Sequence, residues 1–289
     1  MIKINCFSVL GGDKRQAAMA ESMSLDGYTV YAAGFDKVEL GHGVIKTTIE
    51  DAMKKSSTLI LPLPASADGV TLNAPFTGEK VFLDDEFAEA CRGKRVFCGM
   101  AQKLLKTNEL WNTLNLYDYF TREEFSVKNA VPTAEGAIEL AMREYPGTIN
   151  GSKCLVAGFG RIGKVLAAML KGLGAQVTVS ARKPSDLAWI ELMGYQPVPT
   201  SKIEDTKGYQ IIFNTIPLLI FDATTLAKSA EHALVIDLAS APGGVDFKAA
   251  VRLGIQAIQA LSLPGKVAPK AAGEIIKTTI YNMLEEETR

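Results

Sequence analysis

The feature that most constrains this chain is Val156-Ala157-Gly158-Phe159-Gly160-Arg161-Ile162-Gly163. It follows the apolar run Cys154-Leu155-Val156-Ala157, which reads as a buried strand, and opens into Ile162 to Leu173, whose apolar residues repeat at helical spacing. Between a strand and a helix, each glycine has a job. Gly158 permits a tight turn, Gly160 lets backbone approach a pyrophosphate, and Gly163 lets helix and strand pack closely. The free N–H groups and positive end of the helix then face an anion. The same glycines would also serve an ordinary βα turn. The strand before, the helix after and a second strand over Gln176 to Ser180 favour a dinucleotide site.

An acid ending that second strand would bind a ribose 2′-OH. The chain instead reads Val177-Thr178-Val179-Ser180-Ala181-Arg182-Lys183. Ser180, Arg182 and Lys183 point to a 2′-phosphate, and so to NADP(H) over NAD(H). The bland alternative for the Arg-Lys pair is a solvated turn.

A chain of 289 residues is long for one core and suits two domains. With 47% apolar and 22% charged residues it has the composition of an ordinary soluble globular protein. A formal net charge of -1 offers no general attraction to nucleic acid or anionic membrane, so neither is an expected partner. The N-terminus runs straight into an alternating strand with no signal-peptide pattern. The most apolar stretch, Ile211 to Phe221, is interrupted by Asn214, Thr215 and Pro217 and is too short to span a bilayer. The four cysteines, Cys6, Cys91, Cys98 and Cys154, form no CxxC pair and read as buried small hydrophobes in a reducing cytoplasm, with neither zinc nor disulfides.

Strands are expected over Ile2 to Val9, Thr29 to Ala32, Thr58 to Leu63, Arg95 to Cys98 and Leu116 to Phe120. Helical patterns fall between them at Lys14 to Leu25, Glu50 to Lys55, Asp84 to Arg92 and Gln102 to Trp111. Such alternation means parallel strands with crossovers. A helix from Val131 to about Glu144 follows, with Thr133 as its cap and Glu135 at the positive end of its dipole. Six strands then complete a dinucleotide fold: Lys153 to Ala157, Gln176 to Ser180, Gln196 to Val198, Gln210 to Asn214, Leu234 to Asp237 and Gln256 to Ile258. The last helix, about Lys270 to Glu286, is not needed there and is expected to return to the first domain. The fold class is therefore α/β, with two doubly wound parallel-sheet domains, flavodoxin-like at the N-terminus and Rossmann at the C-terminus, joined by hinge helices. The expected parts are 1–130 completed by 270–289, a linking helix at 131–149, and a nucleotide domain at 150–269.

Candidate ligand-facing residues lie in turns after strands. Gly11-Gly12 reads as a tight βα turn, placing Asp13, a helix N-cap, and Arg15 at a sheet edge. Asn214-Thr215-Ile216-Pro217, Asp237-Leu238-Ala239-Ser240 with Ala241-Pro242-Gly243-Gly244, and Leu263-Pro264-Gly265-Lys266 through Lys270 end consecutive strands of the second domain. Pro and Gly in these turns are also ordinary loop chemistry. No nucleophile-with-base pattern or metal-ligand cluster is visible, and His42 and His232 are poor candidates for acid–base work. Arg15, Glu135, Lys266 and Lys270 remain as charged candidates.

These motifs together resemble the family of the dipicolinate synthase A subunit. The matching residues are Gly11-Gly12-Asp13 with Arg15-Gln16, Gly34-Phe35-Asp36, Leu61-Pro62-Leu63-Pro64, Pro132-Thr133-Ala134-Glu135-Gly136 and the glycine loop. They continue through Asn214 to Pro217, Asp237 to Ser240, Pro242-Gly243-Gly244, Pro264-Gly265 and Ala268-Pro269-Lys270, so the resemblance spans nearly the whole chain. One departure is Ala241, where the family resemblance implies a basic residue. The resemblance implies an oxidoreductase of sporulation that converts dihydrodipicolinate, made from the lysine pathway, to pyridine-2,6-dicarboxylate. It implies NADP as cofactor and the flavoprotein-like B subunit of dipicolinate synthase as partner. A homo-oligomer is also expected. Substrate contacts are expected from Arg15, Asp13, Thr133, Ser240, Lys266 and Lys270, and catalytic roles from Lys270, Glu135 and Arg15. Rival readings are an enzyme with a permanently bound nicotinamide, as in S-adenosylhomocysteine hydrolase, and a nucleotide-sensing protein without catalysis.

Overall fold

A computed structural model of the chain describes residues 5–203, 206–229 and 232–287. In chain order the first elements are β1 (Cys6–Leu10), α1 (Lys14–Leu25), β2 (Thr29–Ala33), β3 (Val44–Lys46), α2 (Ile49–Lys55), β4 (Thr58–Ile60), α3 (Asp85–Ala90), β5 (Arg95–Cys98), α4 (Ala101–Leu104), β6 (Asn115–Asp118) and α5 (Glu123–Glu144). Then come β7 (Lys153–Ala157), α6 (Arg161–Gly172), β8 (Gln176–Ala181), α7 (Pro184–Leu192), β9 (Gln196–Pro199), β10 (Ile211–Asn214), α8 (Ala223–Leu226), β11 (Leu234–Asp237), α9 (Phe247–Arg252), β12 (Gln256–Gln259), α10 (Leu263–Val267) and α11 (Pro269–Glu287). The chain divides into two compact units, one of Met1–Asn129 with Ala268–Arg289, the other of Ala130–Val267.

The first unit carries a six-stranded parallel sheet in the order β3-β2-β1-β4-β5-β6. Its five expected strands follow the flavodoxin order; the short edge strand β3, with the sequence Val-Ile-Lys, was too brief to read as a strand. Helix α11 packs on α1 because small residues let the backbones meet: a Cβ on Gly273 would lie 2.6 Å from the Arg15 carbonyl oxygen. Lys277, on the same face, reaches Asp26 at 2.9 Å, Glu274 at 3.0 Å and the Ser22 hydroxyl at 2.6 Å. Ile276 and Ile280 are buried with Met19, Met23 and Phe7. Each such burial stabilises by roughly 1.5–3 kcal/mol. The expected first strand begins, and the expected 270–289 segment ends, outside the described residues.

The second unit has the order β12-β11-β10-β7-β8-β9, the full dinucleotide-binding topology. Strands β10 and β11 are buried along their whole length, as continuous apolar runs in a sheet covered on both faces should be. Leu166, Ala167 and Leu170 of α6 face β7 and β8 in one core.

Two helix expectations and one loop expectation are corrected. Helix α5 begins at Glu123, not Val131, and carries Pro132 in its interior. Proline there removes one backbone hydrogen bond, but Ala134, Ala137, Ile138 and Ala141 form a buried stripe that keeps the helix going. Thr133 and Glu135 therefore sit in the helix interior and not at its N-terminus. The expected helix Gln102 to Trp111 is broken into α4 and a 3₁₀ turn over Glu109–Thr113, where the Asn108 side chain caps the second piece through the Leu110 amide. The expected loop at Leu263-Pro264-Gly265-Lys266 is the short helix α10.

Candidate functional site

The glycine loop joins β7 to α6 at the carboxyl end of the second sheet. Gly158 has a φ of +103°, open only to glycine at little cost. Its amide donates to the Ser180 hydroxyl at 3.1 Å, while Thr215 donates both its amide and its hydroxyl to the Ala157 carbonyl at 2.9 and 2.8 Å. A Cβ on Gly163 would run into the Gly158 carbonyl oxygen, so that position is glycine because helix and loop touch. Gly160 differs. A Cβ there would meet no protein atom within 4 Å. That side of the loop is left open, which is what a backbone that must approach a phosphate needs. Gly160 is also the N-cap of α6 and offers no side chain to the helix amides, and the first turn carries no acid. The positive end of a 12-residue helix is thus left for an anion.

A cavity of about 510 Å³ opens there. Gly158, Phe159 and Gly160 form its floor, and Thr215, Ile216, Pro217, Leu218 and Ile220 line an apolar side. Arg182 and Lys183, both exposed, line it from the loop after β8. Neither forms an ion pair among the described residues. Lys164 lies 5.1 Å from the Phe159 ring centroid and adds positive charge beside the loop. A hollow of about 590 Å³ lies at the opposite edge of this sheet, where Lys153, Gln176 and Gln196 begin β7, β8 and β9. Open α/β sheets bind ligands at the carboxyl ends of their strands, so the cavity at the glycine loop is the candidate site. The residues present fit a dinucleotide: an open glycine, an uncapped helix start, and two exposed cations beyond them.

Several expected contacts are elsewhere. Ser180 is fully buried behind the loop and accepts from Gly158, so it shapes the turn and does not face a ligand. Asn214 and Asp237 are fully buried and hold each other at 2.8 Å. Asn214 also donates to the Ile216 carbonyl and accepts from the Ile216 amide, while Asp237 accepts from the Ala239 and Gly244 amides. The pair clamps two turns together; Leu238 and Ala239 are buried beside it. Ser240 is exposed. Lys266 lines a separate hollow with Glu139, Arg143 and Gln259. Glu135 is exposed on α5, and Thr133 is buried.

In the first unit, Asp13 and Arg15 face each other. Asp13 caps α1 in a reciprocal box with Gln16 and takes the Arg15 guanidinium along one edge, Nη2 at 2.8 Å and Nε at 3.0 Å. Arg15 Nη2 also donates to the Leu63 carbonyl. With only 8% of the residue exposed, Arg15 is mainly a brace between α1 and the loop after β4, and among the described residues only its Nη1 is uncommitted. The Gly11-Gly12 turn is covered by its own chain, since the Gly12 amide donates to the Asn73 carbonyl at 2.9 Å. Lys270 is exposed and shares a cavity of about 280 Å³ with Lys14, Glu21, Glu39 and Phe76. Cys91 and Cys154 are pushed up to about 12 by burial, so both are inert thiols at neutral pH.

Sequence reasoning missed Asp186, Thr200, Leu218 and Ile220 of the cavity wall. Asp186 could have been found, since it lies in the first helical turn after Arg182 and Lys183. It also missed Tyr119, a buried phenol donating to the Leu61 carbonyl at 3.0 Å, whose ionisation burial pushes far upward.

Fold and loop together define a dinucleotide-binding α/β protein of the dehydrogenase type. Residues 123–250 match the D-isomer specific 2-hydroxyacid dehydrogenase NAD-binding domain, and residues 6–120 match the N-terminal domain of the dipicolinate synthase A subunit. The chain is 35% identical to the dipicolinate synthase A subunit of Bacillus subtilis, over 96% of this chain and 95% of that one. Two crystal structures of dipicolinate synthase A subunits are similar to this chain. The one from Bacillus halodurans matches with a TM-score of 0.87 and 31% identity, over 98% of this chain and 99% of that one. The one from Bacillus subtilis matches with a TM-score of 0.86 and 33% identity, over 99% and 97%. The chain belongs to the family of dipicolinate synthase A subunits.

Proposed function

We propose that this chain performs the NADP-dependent oxidation of dihydrodipicolinate to dipicolinate during sporulation, in the cytoplasm, as a homo-oligomer working with the flavoprotein-like B subunit of dipicolinate synthase. Membership of the family supports the reaction class. The observation that carries the cofactor reading is the cavity itself, in which Gly160 faces open space and Arg182 and Lys183 have no ionic partner among the described residues. A bound nicotinamide would supply the hydride acceptor.

The protein's own residues do the remainder. Gly158 to Gly163 and the amide end of α6 hold the diphosphate, and Arg182 and Lys183 neutralise the 2′-phosphate. The clamped Asn214–Asp237 pair keeps the Thr215-Ile216-Pro217 wall in place. The substrate is a dianion and needs cations. Lys270 is the first candidate because its ammonium is exposed beside Lys14; Arg15 Nη1 is the second and Lys266 the third. As hydride leaves one ring carbon, a ring proton passes to the Glu135 carboxylate or to water, and the two losses leave the aromatic ring; Lys270, as an ammonium, holds a substrate carboxylate and takes no proton. Aromatisation provides driving force, so strong acid–base assistance is unnecessary.

The test mixes purified chain, with and without the B subunit, with freshly generated dihydrodipicolinate and NADP. Pyridine absorbance and NADPH should appear together in equal amounts. Pyridine formation without NADPH would sink the cofactor assignment, and full activity from the B subunit by itself would remove catalysis from this chain.

A further inference from the structure

Beside Arg182 and Lys183 the cavity holds one carboxylate, that of Asp186. It sits in the first turn of α7, held there by its amide donating to the Lys183 carbonyl at 3.0 Å. Its side chain is half-buried and makes no hydrogen bond or ion pair among the described residues, not even with the two cations that line the same space. An acid that merely balanced those cations would pair with them. An unpaired carboxylate sharing a small cavity with them opposes a phosphate dianion and can accept a hydrogen bond from a ribose hydroxyl. We infer that Asp186 restrains the preference of this pocket for NADP, so that the protein binds NAD as well. The inference rests on reading the cavity as the nucleotide site.

Arg182 and Lys183 attract the 2′-phosphate, and Asp186 subtracts from that attraction while favouring the free 2′-hydroxyl. Removing its charge without changing its shape should separate the two nucleotides further. The experiment titrates full-length wild-type protein, Asp186→Asn and Asp186→Glu with NADP and with NAD, following Kd by calorimetry and folding by thermal melting. Asp186→Asn should raise the ratio of NADP to NAD affinity about five-fold, the effect of one unit charge a few ångströms away at partial solvent screening, and Asp186→Glu should leave it near wild type. An unchanged ratio in Asp186→Asn, with or without a shift in melting temperature, overturns the inference and leaves Asp186 as a helix-end acid only. Wild-type protein that binds neither nucleotide overturns the reading of the cavity as well.

Discussion

The backbone amide of Gly158 donates to the hydroxyl of Ser180, 3.1 Å away and sealed from solvent. The bond ties the first turn of the glycine loop to the neighbouring strand. Ser180→Ala should leave that buried N–H without a partner, at a cost of about 1–3 kcal/mol. The loop should loosen too, so affinity for NADP should fall although Ser180 touches no ligand. Thermal melting and nucleotide titration together check this; a stable variant with unchanged Kd would show that the bond is dispensable.

Gly160 and Gly163 should respond in opposite ways to alanine. Gly160→Ala places its methyl in open space, so the fold should survive while nucleotide affinity falls at least about tenfold from a clash with the diphosphate. Gly163→Ala drives its methyl into the Gly158 carbonyl and should lower stability by about 1–3 kcal/mol, whatever the ligand. Melting curves taken with and without NADP separate the two.

Arg15 and Lys270 differ in kind. Arg15→Ala breaks a partly buried pair with Asp13, whose side chain is 33% exposed. The loss should be about 2 kcal/mol, below the full cost of a dry pair. Lys270→Ala should melt like wild type and instead raise KM for the dicarboxylate. A KM unchanged in Lys270→Ala would take that residue out of the substrate site.

Helix α11 should release at alkaline pH. Burial, the charge of Asp26 and its hydrogen bond all raise Tyr281 above the ordinary 10.0. For Lys277 burial works the other way, but the bonds to Asp26 and Glu274 outweigh it and raise the group above 10.5. In both cases the proton is held more tightly in the folded state. The stabilisation is therefore complete below the ordinary values and is lost as pH rises through the raised ones. Tyr281→Phe removes a bond of about 1 kcal/mol near neutrality, and the gap to wild type should narrow above about pH 10. Melting temperatures across that range provide the check; a gap constant with pH would mean that Tyr281 does not titrate with the fold.

Strand-by-strand order was legible in the sequence because apolar runs alternating with helical periods leave few arrangements for a parallel sheet. The strands Lys153–Ala157, Leu234–Asp237 and Arg95–Cys98 and the helix Lys14–Leu25 fall where local pattern places them. The glycine loop was legible for the same reason: its three glycines answer to a strand, a helix and a close approach that all lie within a few residues. Pattern failed where packing outweighed local preference, as when the buried alanine stripe of α5 carried the helix through Pro132.

Which polar side chains face the cavity was a different matter. Asn214, Asp237 and Ser180 look like ligand contacts in one dimension, since all end strands at the binding edge of the sheet. Folding turns each of them inward onto backbone amides or onto one another, because a buried polar group must find a partner. Asp186 looks like a helix-start acid, and folding leaves it facing the space shared with Arg182 and Lys183. The sequence alone settled that a dinucleotide loop exists; only the tertiary structure decided which neighbours brace it and which are left to meet a ligand, since that depends on hydrogen bonds between residues far apart in the chain.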